Sequence, residues 1–293
     1  MADQRSQPAE FLNRHGLRPI KSRGQHFLIN LAIADRIVAA ARLGSDSVVL
    51  EVGPGTGVLT SRLIAQARHV YAVEIDRRLA EALQQEHRDA SNLTVLPEDI
   101  LRVDVEALCA EAKTDRLTVV ANLPYNITGP ILDRLILFHR NVSHAILMTQ
   151  QEVGERLAAR PGTKAYGAVT VIMSYIFRLK ALFPVGPNCF LPKPSVQSLV
   201  LGLEPYSVPP ADVSDPHFLI EVIRSGFLHR RKMLHHAMNR FGDGAAEWVI
   251  QQTGIDLTRR GETLTLNEFA ALTDALDAFK RDRPPHAIST LTE

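Results

Sequence analysis

The chain is short of cysteine, of net charge and of long apolar runs. Cys109 and Cys189 are its only cysteines in 293 residues. They stand far apart in no paired spacing, which excludes a disulfide scaffold and a cysteine-rich zinc site and points to a reducing compartment. No run reaches membrane length, no signal-peptide core is present, and the N-terminus holds acids that a transit peptide avoids, so a cytoplasmic protein without a membrane partner is expected. Hydrophobic residues make up 45% and charged residues 22%, the balance of a globular chain. A formal net charge of +1 does not by itself imply a nucleic-acid partner. Its distribution does, because Arg14, Arg18, Lys21 and Arg23 share one stretch without an acid, and 224–240 holds five basic residues without one. A basic face is therefore expected.

What is present is an alternation. Apolar runs of strand length at 48–52, 70–74, 93–96, 117–121 and 144–149 alternate with helical periodicity at 58–67, 77–86, 103–113 and 131–138. Strands joined by crossover helices make a parallel, doubly wound, Rossmann-like α/β sheet. Ahead of it, 31–43 reads as a helix capped by Asn30 and ended by Gly44, and the first dozen residues read as a frayed polar end. Beyond it, 153–159 and 168–177 read as helical, and 178–185 and 195–203 as strands. Pro205, Pro209, Pro210 and Pro216 then make a linker before helical stretches at 218–228, 232–241, 245–253 and 267–279. The expected organisation is a basic arm over 1–25, a ligand-binding domain over 26–204, a smaller, mostly helical domain over 205–280 and a flexible tail over 281–293.

The chemistry is expected where strands end, because open parallel sheets bind ligands at their carboxyl edge. Glu51-Val52-Gly53-Pro54-Gly55-Thr56-Gly57 follows the first strand, where glycines let a backbone approach a ligand. Its Gly-x-Gly-x-Gly spacing is one residue tighter than that of dinucleotide binders. The acid at Glu51 repels a pyrophosphate but suits the ammonium of an amino-acid-bearing cofactor, so S-adenosyl-L-methionine fits better than a dinucleotide. Glu74 ends the second strand, placed to accept both hydroxyls of a ribose, with Asp76 as its competitor. Asp99 follows the third strand, placed to accept from an adenine amine. Each acid has a plainer reading as a helix cap or loop acid, but three at consecutive strand ends beside a glycine turn favour a ligand. Asn122-Leu123-Pro124-Tyr125 follows the fourth strand and offers a carbonyl acceptor, a stiff turn and a flat ring, a set that suits a planar amine.

Together with Gln25-His26-Phe27-Leu28, Glu98-Asp99-Ile100, Lys164-Ala165-Tyr166-Gly167, Phe190-Leu191-Pro192-Lys193-Pro194, 227–232 and Gly254-Ile255-Asp256, these motifs resemble the ribosomal RNA small-subunit adenine dimethyltransferases across 20–279. The resemblance implies a class I methyltransferase domain with a helical C-terminal domain. It implies transfer of two methyl groups from S-adenosyl-L-methionine to the exocyclic amine of each of two neighbouring adenosines near the end of small-subunit rRNA, as part of ribosome biogenesis.

By position, His26, Leu28, Gly53, Glu74, Asp99 and Asn122 would touch the cofactor, with Glu51, Gly55 and Gly57 completing its turn. Asn122, Leu123, Pro124, Tyr125 and Phe190 would form the catalytic face, the base lying between Tyr125 and Phe190. Arg18, Lys21, Arg23, Arg230, Arg231 and Lys232 would hold rRNA. The Asn122 side-chain carbonyl and a backbone carbonyl within Leu123-Pro124 would accept from the amine, the proton leaving without a dedicated base. Leu123 would leave room for the second methyl group.

The family usually has Asn at the position of His26, and Lys and Asp at Ser195 and Gln197. Histidine still donates or accepts a hydrogen bond. No metal is required, and nothing demands more than a monomer. The competing readings are a non-catalytic assembly factor with His26 as its lesion, a large-subunit rRNA methyltransferase conferring antibiotic resistance, and a dinucleotide oxidoreductase.

Overall fold

All five residues of Val48–Val52 are buried, the pattern of a strand covered on both faces rather than one. The computed structural model describes residues 7–20, 23–229 and 232–282. In chain order they form α1 (Gln7–Arg14), β1 (Phe27–Leu28), α2 (Leu31–Ala40), β2 (Val48–Val52), α3 (Thr60–Leu63), β3 (His69–Val73), α4 (Arg77–Glu86), β4 (Leu93–Leu96), α5 (Val105–Glu111), β5 (Leu117–Asn122), α6 (Thr128–Leu137), β6 (Val142–Gln150) and α7 (Gln151–Leu157). Then come α8 (Ala168–Ile176), β7 (Phe177–Val185), β8 (Phe190–Leu191), β9 (Ser198–Pro205), α9 (Pro216–Phe227), α10 (Leu234–Met238), α11 (Ala245–Thr253) and α12 (Leu266–Asp282).

A seven-stranded sheet runs in the order β4-β3-β2-β5-β6-β9-β7. Strands β2 to β6 are parallel, as the alternation predicts, and β9 and β7 add antiparallel to the β6 edge. The order reverses between β2 and β5, which is where a doubly wound sheet opens a crevice. A separate two-stranded pair joins β1 to β8, with Phe27 opposite Leu191 and Leu28 opposite Phe190.

The chain divides into two units, Met1–Ala158 with Phe177–Pro205 and Ala159–Ile176 with Tyr206–Glu293. The break near 204 agrees with the proline-rich composition there. Segment 159–176, expected in the first domain, belongs to the second. Within α8, Thr170, Val171, Ile172, Met173, Tyr175 and Ile176 are all buried, so this helix needs helices around it, and it packs on α9 and α12 of the same unit. There Asp215 caps α9, accepting from the amides of His217 and Phe218, the Phe227 and Phe269 rings stack at 5.8 Å, and the Tyr166 hydroxyl donates to the Leu264 carbonyl at 2.9 Å.

Two further expectations are corrected. The end read as frayed contains α1, because Phe11 and Leu12 are buried on an otherwise polar helix. The helix expected over 58–67 is helical only over α3, with turns at 58–59 and 64–66 on either side of it. Asn30 caps α2 as expected, its side chain accepting from the Ile33 amide.

Gly57 has φ +79, and a Cβ there would lie 2.6 Å from Cδ1 of the fully buried Leu83 on α4. Its glycine therefore serves the packing of α4. Gly57→Ala is expected to lower unfolding stability by at least about 1–2 kcal/mol from the backbone alone, with the Leu83 clash added. A thermal or urea melt read by circular dichroism checks it.

Candidate active site

The parallel register sets the strand ends side by side. Val52 of β2 pairs with Val73 of β3 and with Ala121 of β5, so the next residues, Gly53, Glu74 and Asn122, emerge in one row. Val73 also pairs with Leu96 of β4, which brings Glu98 and Asp99 to the same edge. A pocket opens there, lined among others by Leu28, Gly53, Gly55, Glu74, Asp99 and Asn122. Its apolar walls include Ile75, Ile100, Ile127 and Ile131. A shallower pocket adjoins it, sharing Gly24, His26, Tyr125 and Asn126 and adding Gln150, Pro194, Ser195 and Val196.

The arm ahead of β1 is tied across the strand ends. Asn122 Nδ2 donates to the His26 carbonyl at 3.1 Å. Because a carbonyl cannot donate, this contact fixes which end of the amide is which, leaving Oδ1 as an acceptor. His26 Nδ1 lies 2.7 Å from the Pro192 carbonyl, and its ring stacks on Tyr125 with centroids 5.3 Å apart and 30° between planes. The Tyr125 hydroxyl is 2.6 Å from Oγ of the buried Ser198, which holds the ring in place. Leu123 is 1% exposed, and its amide donates to the Met148 carbonyl at 3.0 Å.

The acids differ sharply in setting. Glu74 is 5% exposed and lines the pocket; each oxygen accepts one backbone amide, Gly55 at 3.1 Å and Asp76 at 3.0 Å. Burial pushes its pKa up despite those bonds. A carboxylate oxygen takes two hydrogen bonds, so each retains a site for a hydroxyl. Asp76 is held otherwise: it caps α4 and pairs with Arg78 at 2.9 Å and Arg23 at 3.0 Å, and the Arg78 hydrogen bond draws its pKa down. Asp99 accepts from the Leu101 amide and keeps its place in the pocket wall.

Three sequence assignments change. Glu51 does not line the pocket. It is 1% exposed on β2, its Oε2 accepting from Thr60 Oγ1 at 2.7 Å and its Oε1 without a partner among the described residues. Gly57 lies outside the pocket lining, packed on α4. Phe190 lines neither pocket; it is 2% exposed in the apolar cluster with Val49, Met148 and Val200, opposite Leu28. A phenylalanine with an apolar cluster to enter is buried there rather than left as a platform.

Arg23, assigned to rRNA, instead reaches the pocket rim and pairs with Asp76. Arg18 and Lys232 are exposed, while Lys21, Arg230 and Arg231 lie outside the described residues. The sequence reading missed the isoleucine walls. Their signal was an apolar residue directly after two of the strand-end acids, Ile75 after Glu74 and Ile100 after Asp99, with Ile75 50% exposed.

A family model for ribosomal RNA adenine dimethylase matches residues 18–278. The chain belongs to that family. Among its relatives, a protein of Pelotomaculum thermopropionicum named ribosomal RNA small subunit methyltransferase A is 42% identical, over 92% of this chain and 95% of that one. One of the same name from Clostridium acetobutylicum is 38% identical over 91% and 97%. A solved dimethyladenosine transferase from Plasmodium falciparum superposes with a TM-score of 0.70 at 25% identity, over 84% of this chain and 96% of that one. The fold is thus that of class I rRNA methyltransferases. The protein is an enzyme of rRNA adenine dimethylation with S-adenosylmethionine as methyl donor.

The dimethylase pocket suits that cofactor. Two carboxylates, Glu74 and Asp99, face it beside the apolar walls of Ile75 and Ile100, a polar and apolar lining of the kind a nucleoside requires. A Cβ added at Gly53 would meet nothing nearer than 3.9 Å, so the backbone there lies open to a ligand. Burial raises the Glu51 carboxyl to about 8. An acid raised on folding binds more protons folded than unfolded between its ordinary 4.5 and about 8, so its contribution to stability falls as pH rises through that window. Glu51→Gln is expected to flatten the decline in melting temperature of the ligand-free protein between these pH values; an unchanged slope would refute the assignment.

Proposed function

We propose that this enzyme dimethylates the exocyclic amines of two adjacent adenosines near the 3′ end of small-subunit rRNA. The observation that carries this reading is the Asn122-Leu123-Pro124-Tyr125 turn, set by register beside Glu74 and Gly53 in one crevice. The small-subunit target is supported by relatives named for that subunit at 38–42% identity over more than nine-tenths of the chain. That name also favours this reading over a large-subunit enzyme.

S-adenosylmethionine, when bound, supplies a methyl group already activated on a sulfonium, so the protein's work lies with the nucleophile. In this reading Glu74 receives the ribose hydroxyls, Asp99 the adenine amine, and the open backbone at Gly53 the amino-acid end, with His26 and Leu28 closing the pocket. An adenine amine is a poor nucleophile because its lone pair is delocalised into the ring. Asn122 Oδ1 and a backbone carbonyl of Leu123-Pro124 accept its hydrogens, which favours a pyramidal nitrogen and frees the pair. Holding amine and methyl in line converts a bimolecular encounter into an oriented one.

Tyr125 supplies a stacking platform for an extruded base, kept at its angle by Ser198. The buried Phe190 is a less direct partner than the resemblance implies. Leu123 borders the amine with an aliphatic side chain that yields space for a second methyl group. A proline there would remove the Leu123 amide that bonds Met148, so that substitution tests strand anchoring as much as product size. Arg18 and Lys232, both exposed, supply phosphate contacts in this reading, together with Lys21, Arg230 and Arg231.

Two measurements follow from these roles. With labelled cofactor and small subunits lacking the modification, the wild type is expected to yield dimethyladenosine, and Asn122→Ala to transfer at least about 100-fold more slowly, the scale of losing one transition-state hydrogen bond. Calorimetric cofactor binding by the variant separates transfer from affinity. Tyr125→Ala is expected to weaken productive rRNA binding by about 1–3 kcal/mol, whereas Tyr125→Phe keeps the platform and most of the activity. Equal losses in both variants would place the role in the hydroxyl.

A further inference from the structure

Helix α1 is tied to the wall of the larger pocket. It turns Phe11 and Leu12 inward, 4% and 5% exposed, into one apolar cluster with Phe27 of β1 and with Leu79 and Ala82 of α4. Gly16, at φ +63, ends the helix, and the Leu17 amide closes back on the Leu12 carbonyl at 2.7 Å. Polar anchors lie at both ends of α4. At its C-terminal end Glu86 takes Arg14 at 3.4 Å and His15 at 2.9 Å, and at its N-cap Asp76 takes Arg23 at 3.0 Å. Helix α1, Arg23 and Phe27 are thus all fastened to one helix.

The fastening bears on Glu74. One of its oxygens accepts the Gly55 amide and the other the Asp76 amide. The Phe27 ring lies against Gly55, where an added Cβ would stand 2.8 Å from Cδ1 of that ring. Asp76 is the acid that Arg23 pairs with. Each residue that orients Glu74 is therefore itself held by a residue of the arm. We propose that α1 is a brace for the cofactor: docked on α4, it keeps Phe27 on the glycine turn and so aims Glu74 at the ribose hydroxyls. This rests on the reading of Glu74 as the ribose acceptor. Phe27 and Arg23 are positioning residues in this account, and α1 acts through them. The helix spans Gln7–Arg14, ahead of the matched residues 18–278, so the brace lies outside the span that the family model describes.

The brace has two states. A helix of eight residues is far below the length of about 12–15 at which isolated helices become even marginal in water, so α1 is helical only while docked. The docking is apolar in origin. Arg14 is 60% exposed in its pair with Glu86, and such surface pairs contribute little, whereas Phe11 and Leu12 are removed from water. Undocking frees Phe27 from its cluster, and with it the clamp on the Gly55 amide that holds Glu74. A plainer role, in which α1 only covers Leu79 and Ala82, would weaken every ligand of the pocket alike.

The test uses the full chain as wild type, Phe11→Ala, Leu12→Ala and Phe11→Leu, none of them altered in the pocket lining. Calorimetry measures binding of S-adenosylhomocysteine and of its analogue lacking both ribose hydroxyls. Phe11→Ala and Leu12→Ala are each expected to bind S-adenosylhomocysteine roughly tenfold more weakly. Their affinity for the analogue, already lower in the wild type, is expected to stay where it is, and Phe11→Leu to keep wild-type values for both ligands. Equal weakening of the two ligands overturns the path through Glu74, and unchanged binding of both overturns the brace. If one alanine variant fails to fold, the other decides. A wild type that binds both ligands equally well overturns Glu74 as ribose acceptor, and the proposal with it.

Discussion

The common register of β2, β3 and β5 is the constraint on which the site depends. Gly53, Glu74 and Asn122 come from three strands far apart in sequence, and nothing but backbone pairing sets them in one row. A slip of one residue in any of these strands would turn its side chains to the opposite face. The slip is prevented by burial: every position of β2 and all but the first of β3 are packed away from water, as are the first five of β5. The stability of the sheet and the accuracy of the site are therefore one property.

The second tie is the arm. Backbone pairing of β1 with β8, the Asn122 bond to the His26 carbonyl, the His26 bond to Pro192 and the Arg23–Asp76 ion pair hold residues 23–28 across the pocket. Asn122 thereby does two things: its Nδ2 anchors the arm, and that anchoring orients its Oδ1. An ionised Asp at this position would present an acceptor but could not donate to the His26 carbonyl, and the arm would lose that bond. This also explains why Asp76 and Glu74, only two residues apart, diverge: one is spent on a helix cap and two arginines, the other keeps free lone pairs facing the pocket.

Much of this was legible before the structure, because it follows from period and position. Apolar runs of strand length alternating with amphipathic helices specify a parallel sheet, and residues just past a strand must lie at its carboxyl edge, so Glu74, Asp99 and Asn122 were found by place alone. What escaped was whatever depends on packing across the chain. Glu51 precedes Gly53 by two residues, but strand alternation takes its side chain into the interior toward Thr60 rather than to the pocket. Phe190 reads equally well as platform or core, and only the pairing of β8 with β1 decides it. Helix α1 carries too few apolar residues for periodicity to reveal, and α8 looks like any apolar helix until its neighbours in the second unit are known.

The charge of the pocket bears on how a polyanion can be its substrate. Glu74, Glu98 and Asp99 all face it, while Arg23, its one cation among the lining residues, is bound to Asp76. Such a field favours a cationic sulfonium and repels phosphate. An RNA strand cannot lie along this crevice. In the proposed function a base, neutral and flat, enters alone and leaves its stack to do so, and the backbone stays outside the crevice. The stacking face of Tyr125 then offsets part of the cost of extrusion. On the proposed reading, extrusion of the base is required by the charge of the pocket as much as by its depth.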